Sequence, residues 1–347
     1  MSDSTHAPPA FRDTWEPRLR ALCEELRATV RTSLTGALEA GSLDALGRAE
    51  GIGAGDFAFG LDVPTERLLD GWLERVAARA PLSLMTEDSG WRHRGPDGSG
   101  GVRELPDFDH GGPRIAIDPI DGTRNLMHDL RSAWTLVSYC DAGAGPPRLG
   151  DVCAGIVAEL PDSRGGRFRV VSAARGQGCR IEEREVADGR LLGERRLTAD
   201  DDDRADHGYF PFFRYAPDLR APIAALESAF LQRLETQEQA LVEHCFDDQY
   251  ICSAGQLVLT MLGRYRMVVD ARPLVAARLG RSTRPSKPYD LAGAVLCARE
   301  AGCVVEAPDG SELDFELDTL TPVAFAAFHN PATARRLAPH LRAVLGV

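Results

Sequence analysis

The stretch Ile115-Ala116-Ile117-Asp118-Pro119-Ile120-Asp121-Gly122-Thr123 constrains this chain more than any other. Ile115 to Ile117 read as a buried strand that runs into two aspartates three positions apart. Pro119 cannot donate to a sheet ladder, so the strand is expected to stop there. Gly122 permits a tight turn, and Thr123 adds a hydroxyl and a backbone N–H. Two carboxylates, the Ile120 carbonyl and a donor-rich turn suit a hard cation together with a phosphate, because Mg²⁺ takes carboxylate oxygens and shares substrate phosphate oxygens. Taken alone, the stretch also fits an Asp-rich turn capping a helix, since Asp-Pro and Asp-Gly turns are common.

Two further segments favour the cation. Leu82-Ser83-Leu84-Met85-Thr86-Glu87-Asp88-Ser89-Gly90 is another short apolar strand ending in adjacent acids. Lys287-Pro288-Tyr289-Asp290-Leu291-Ala292-Gly293 sets a lone aspartate at the start of an apolar helix. The ordered trio of D-P-I-D-G-T, an E-D-S-G strand end and a Y-D-x-A-G helix start resembles the inositol monophosphatase family, over residues 15–345. That resemblance implies an α/β fold of the α+β type, a layered α-β-α-β-α sandwich of the inositol monophosphatase and fructose-1,6-bisphosphatase kind. It implies a Mg²⁺-dependent, lithium-sensitive phosphomonoesterase with two or three Mg²⁺ per site, Mn²⁺ serving as a substitute. The partners it implies are a small phosphorylated substrate and a second copy in a homodimer.

Residue by residue, the resemblance gives Glu87, Asp118, Asp121, Asp290 and the Ile120 carbonyl as metal ligands. Thr123 and Asp62 orient the attacking water, with Asp88 in support, and the N–H groups of Gly122 and Thr123 hold phosphate oxygens. Ser253 and Ala254 line the substrate pocket, and Asp270 falls where family members use an acid to grip substrate hydroxyls. Asp62 is also a good N-cap for the helix that follows, with Pro64 and Glu66 in its first turn, and the two roles are compatible. N-capping alone would justify Asp290, although the other two motifs favour the metal role. Tyr289 stands where tryptophan is more frequent. Arg272, two residues past Asp270, either pairs with a second phosphate or forms a surface salt bridge, and Arg124 offers the same choice.

Composition excludes other classes. A formal charge of -12 argues against non-specific nucleic-acid binding. It does not argue against an anionic substrate, because bound Mg²⁺ inverts the local field. The eight cysteines form no Cys-x-x-Cys and read as buried thiols of a reducing cytoplasm. No histidine pattern suits zinc, no apolar run is long enough for a membrane span, and no signal peptide is evident.

The expected organisation is a disordered lead-in over 1–11, an N-terminal α+β sub-domain over 12–195 and a C-terminal α/β sub-domain over 196–347. Leu19, Leu22, Leu26, Val30, Leu34 and Leu38 recur at helical spacing. Gly51-Ile52-Gly53-Ala54-Gly55 follows no strong strand, so an inter-helix loop is favoured over a dinucleotide-binding turn. Arg92 to Pro113 reads as a polar surface loop or flap, and the four aspartates of 200–203 as a solvated loop. The expected function is hydrolysis of an inositol phosphate or related sugar or polyol phosphate. Its rivals are a bisphosphate phosphatase acting on fructose 1,6-bisphosphate or 3′-phosphoadenosine 5′-phosphate, and a catalytically weak binding protein of the same fold.

Overall fold

The helical spacing from Leu19 to Leu34 winds into one helix, Glu16–Glu39, with Leu19, Leu22, Leu26, Val30 and Leu34 buried along one stripe. The computed structural model describes residues 11–52 and 57–347. Of the expected lead-in over 1–11, residues 1–10 lie outside the described residues, and Phe11 is instead buried against Tyr139, with ring centroids 4.9 Å apart. Within the glycine-rich segment, Gly51 and Ile52 belong to a short strand, Ala49–Ile52, that pairs with Phe57–Phe59; Gly53 to Gly55 lie outside the described residues.

Nine strands form the main sheet. From edge to edge they are Leu191–Leu197, Cys179–Glu185, Arg167–Ala174, Val152–Leu160, Ala133–Cys140, Arg114–Asp121, Leu82–Thr86, Gly90–Pro96 and Val102–Glu104. All neighbours are antiparallel except Leu82–Thr86 and Arg114–Asp121, which run parallel. The central strands are buried on both faces, and their two-residue period sorts the side chains between them. Leu82, Leu84, Ile115, Ile117 and Tyr139 pack under Glu16–Glu39 and the helix Asp62–Ala77. Met85, Ala116, Leu136 and Val157 face the helices Ser253–Met261 and Ala292–Glu300.

Those two helices also cover one face of a smaller antiparallel sheet, ordered Met267–Asp270, Phe325–Phe328, Val304–Glu306. Its other face, with Met267, Val269 and Phe328, packs on the helices Arg220–Glu238 and Pro331–Leu345. The layers are therefore α-β-α-β-α, as expected. No helix of the described residues is long and apolar enough to cross a membrane.

Two local expectations are corrected. Arg92 to Pro113 is not simply a loop, because Gly90–Pro96 folds back on Leu82–Thr86 and carries Val102–Glu104 as the sheet's outer edge. Polar residues without strand periodicity on this edge hid the strands. Pro119 does not stop its strand either. The ladder with Ala133–Cys140 breaks register between Asp118 and Asp121, so Pro119 sits where no ladder N–H is needed, and its carbonyl accepts from Thr135 Oγ1 at 2.9 Å.

The middle helix layer approaches the sheet backbone closely. Gly293 donates its N–H to Ser138 Oγ at 2.7 Å, and a Cβ on Gly293 would stand 2.3 Å from the Val137 carbonyl oxygen. A Cβ on Gly155 would in turn meet the Gly293 carbonyl oxygen at 2.4 Å. Gly293→Ala is expected to lower stability by about 1–3 kcal/mol through overpacking. Thermal unfolding checks this; an unchanged midpoint would show that the helix can step away from the sheet.

Candidate functional site

Parallel pairing of Leu82–Thr86 with Arg114–Asp121 carries both acidic strand ends to the same sheet edge. Glu87 and Asp88 therefore emerge beside Asp118 and Asp121. Asp118 is 3% exposed and buries its carboxylate against a backbone N–H, Oδ1 accepting from Ile120 at 2.9 Å. Its pKa is pushed well up, first by burial and then by the charges of Glu87, Asp121 and Asp290. The acids of all three motifs thus lie within electrostatic reach of one another.

The next residue of the turn requires glycine. Gly122 has φ +102°, and a Cβ there would meet Cys252 Cβ at 3.0 Å and the Ile251 carbonyl oxygen at 3.3 Å. Asp121 points the other way, into the start of the helix Ser253–Met261, where its Oδ2 accepts from the Ala254 N–H at 2.6 Å. Cys252 Sγ lies 3.2 Å from the same oxygen. Burial raises the Asp121 pKa to about 6 against the pull of the Ala254 N–H. Ala254 therefore holds Asp121 through its backbone, and Ser253 Oγ lies 2.8 Å from Ser286 Oγ.

Asp290 closes the cluster. It is the last residue of a 3-10 turn, Pro288–Asp290, and the α-helix begins only at Ala292. Its Oδ1 accepts from the Lys287 N–H at 2.8 Å, and burial followed by the charge of Asp121 raises its pKa. Tyr289, at the position where tryptophan is more frequent, hydrogen-bonds Glu87 with its buried hydroxyl. The sequence marks Tyr289 only as a replacement for tryptophan and does not reveal this contact.

Asp62 is not the N-cap. Leu61 occupies that position, and the Asp62 carboxylate turns back to accept from the Phe59 N–H at 2.8 Å through Oδ2. Its Oδ1 is 3.1 Å from Thr123 Oγ1, which is also 2.8 Å from the Ile120 carbonyl oxygen, so the single hydroxyl proton can serve either acceptor. Burial holds the Asp62 pKa at about 6, against the lowering effects of Phe59 N–H and Thr123. Asp88 is raised by burial as well.

Glu66 is a residue whose position the sequence hides. One turn after Asp62, it read as helix-end charge. Instead its carboxylate turns inward, with Oε2 accepting from Thr86 Oγ1 at 3.0 Å, while Oε1 is buried without a hydrogen-bond partner. Burial and then the charge of Asp88 raise its pKa to about 7. The i, i+4 spacing of Asp62 and Glu66 is the signal that could have found it.

Asp270 and Arg272 depart from both expected roles. The strand ends at Asp270 and Arg272 opens a short helix, yet the two side chains meet in a bidentate ion pair, Nε–Oδ1 at 2.9 Å and Nη2–Oδ2 at 2.6 Å. Asp270 is fully buried and Arg272 is 3% exposed. This is a buried pair, not a surface salt bridge, and Asp270 spends its carboxylate on Arg272 and Ser286 rather than on an open pocket. The four aspartates of 200–203 form a largely exposed loop, as expected, with Asp202 paired to Arg204 at 2.7 Å.

The donor set fits a hard divalent cation. Glu87, Asp118, Asp121 and Asp290 supply only oxygen, and burial followed by the charges of neighbouring acids raises the pKa of Asp118 and Asp290, a cost that a cation would relieve. Among the described residues no three such groups stand ready-made in ligating geometry. Asp118, Asp121 and Asp290 each spend one oxygen on a backbone N–H.

The model of the inositol monophosphatase family matches residues 97–345. Among solved structures, Leishmania major fructose-1,6-bisphosphatase superposes with a TM-score of 0.65 at 13% identity, covering 100% of each chain. The extragenic suppressor protein suhB from Bartonella henselae gives 0.60 at 15% identity, over 94% of this chain and 98% of that one. A Thermotoga maritima IMPase gives 0.57 at 17%, over 95% and 98%. No curated protein matches the chain.

The state of Glu66 generates a stability prediction. Its folded pKa of about 7 lies above the ordinary 4.5, so the folded chain holds the extra proton. Stability from this group is present at low pH and falls as pH rises from the unfolded pKa through the folded one. In chelator-containing buffer, Glu66→Gln should raise the melting temperature by about 2 °C or more at pH 8 and by less at pH 5. An equal change at both pH values would show that Glu66 is ionised throughout.

Proposed function

The chain belongs to the inositol monophosphatase family, and from that premise we propose that it hydrolyses a small-molecule phosphate monoester with Mg²⁺. The observation that carries this reading is the convergence of Glu87, Asp118, Asp121 and Asp290 in one partly buried, oxygen-only cluster beside the Thr123–Asp62 contact.

In this reading Glu87, Asp118, Asp121, Asp290 and the Ile120 carbonyl hold the cation. When bound, Mg²⁺ neutralises phosphoryl charge and lowers the pKa of water. The remaining work falls to the chain. Thr123 Oγ1 takes the attacking water as a partner and is itself aligned by Asp62 and the Ile120 carbonyl. Asp62, held near pKa 6 by burial, is half-poised to accept a proton passed through Thr123. Asp88 adds negative charge behind it. The N–H groups of Gly122 and Thr123, at the positive-φ turn, take phosphate oxygens, a geometry that suits anions without a side chain. Tyr289 fixes Glu87 through its hydroxyl, and Ala254 fixes Asp121 through its N–H.

Release of phosphate from p-nitrophenyl phosphate in the presence of Mg²⁺, abolished by EDTA and restored by added Mg²⁺ or Mn²⁺, is the expected result. Undiminished turnover in chelated, metal-free buffer would sink this mechanism. Asp118→Asn keeps the shape of the side chain and removes one charge. It should lower kcat by at least about a thousandfold, on the scale of a lost transition-state electrostatic contact. The fold should survive, because the substitution relieves repulsion among the acids. A variant with near wild-type kcat would refute the role given to Asp118.

A further inference from the structure

The helix Ser253–Met261 starts behind a thiol that reaches one of the clustered acids. Cys252 precedes the first turn in extended backbone and is 3% exposed. Its Sγ accepts from the Gly255 N–H at 3.2 Å and so caps the helix. The same sulfur lies 3.1 Å from the Asp121 carbonyl oxygen and 3.2 Å from Asp121 Oδ2. A carbonyl oxygen can only accept, so the thiol is the donor and its one proton faces Asp121. Capping uses a sulfur lone pair and leaves that proton over. Cys252 therefore does two separate things with one atom.

The sulfur is held where it stands. The Cys252 N–H donates to the Tyr250 carbonyl at 2.9 Å, and the Cys252 carbonyl accepts from the Gln256 N–H at 3.0 Å. Asn125 Nδ2 donates to the Ile251 carbonyl at 3.1 Å, which ties this segment to the short helix after the Asp-Gly turn. The side chain occupies the space that Gly122 leaves, since a Cβ on Gly122 would meet Cys252 Cβ at 3.0 Å and Sγ at 3.3 Å. Cys252 thus packs between the turn and the helix start, in the wall of the cavity that Asp121 and Asp290 also line.

Asp121 Oδ2 takes the Ala254 N–H at 2.6 Å as well as the thiol. The Ser253 N–H adds to the same surroundings. The N–H groups approach from the helix and belong to the backbone, so they persist whatever side chain stands at 252. The thiol approaches from the turn side and fixes the carboxylate about that anchor.

Resting on the reading that these acids hold a cation, we propose that Cys252 is a positioning residue for Asp121. Its S–H holds Oδ2 at the buried end of the carboxylate, assigns Oδ1 to the cation, and thereby sets the affinity of the site for Mg²⁺ or Mn²⁺. Hydrogen bonds from behind a ligating group are worth about 10–100-fold in metal affinity. A thiol is a weak donor, which puts its share at the lower end.

The test is calorimetric titration of the full-length, chelator-treated protein with Mn²⁺ in the absence of substrate. Cys252→Ala should bind about tenfold more weakly than the parent. Cys252→Ser, whose hydroxyl both caps and donates, should stay within about threefold of it. A residue that only caps the helix gives a different pattern: Cys252→Ala then melts earlier in chelator yet binds Mn²⁺ as tightly as the parent, and this result overturns the inference. A serine variant as weak as the alanine variant overturns it too. If Cys252→Ala does not fold, the S–H infrared band of Cys252 decides, identified by subtracting the spectrum of Cys252→Ser. With the proton on Oδ2, added Mg²⁺ draws charge out of the carboxylate and moves the band toward that of a free thiol; a band that Mg²⁺ leaves unmoved overturns the inference. In each of these cases a parent protein that binds the cation leaves the metal-dependent phosphatase reading standing. A parent protein that binds neither Mn²⁺ nor Mg²⁺ overturns that reading and this inference with it.

Discussion

The contact on which the rest depends is a meeting of backbones. Gly293 lays the start of its helix directly on the Val137–Ser138 segment of the sheet, with Gly155 beneath it. Only two adjacent glycines allow this separation. Moving the helix outward by the radius of a methyl group would take Asp290 away from Asp121 and would loosen the two-sided burial of the middle layer. The glycine of the Asp-Leu-Ala-Gly sequence is thus the part of the motif that sets distance, while the aspartate is the part that supplies charge.

The acids gathered by this packing oppose their own assembly. Each carboxylate is therefore supported by something other than its neighbours. Asp118 takes the Ile120 N–H, Asp121 the Ala254 N–H at a helix start, and Asp290 the Lys287 N–H. Glu87 has the Tyr289 hydroxyl. Three of the four supports are main-chain groups, so they are fixed by fold rather than by side-chain identity. Four negative charges can then stand close together because the folding free energy of the layers around them outweighs their repulsion.

Much of this was legible in the sequence because it is local. Ile115 to Thr123 carries a strand, a turn and a glycine at a conformation only glycine tolerates. The final helix, Pro331–Leu345, begins behind an Asn330 cap and follows its apolar period to the end. What was hidden is orientation. Asp62 has the composition of a helix cap, yet it turns to Phe59 and Thr123 because its own helix begins one residue earlier. Asp270 and Arg272 looked like candidate substrate contacts, whereas the chain turns into a helix between them and lets both side chains curl together. The hairpin over 90–104 was hidden because an outer strand is solvated and need not alternate in polarity. None of these outcomes is encoded within a few residues; each depends on what the rest of the fold brings alongside.

The order of the strands has a consequence in time. From Arg114 to Leu197 the main sheet is a run of sequential hairpins, each strand pairing with the one just made. Such local contacts form early, and the chain emerging from a ribosome can complete them before its last third exists. Asp118 and Asp121 are then already in place, opposed by Glu87 but not yet by Asp290. Asp290 arrives only when the helix carrying it docks. The electrostatic cost of the cluster is therefore met at the closing step of assembly, when the layers that contain it have already formed.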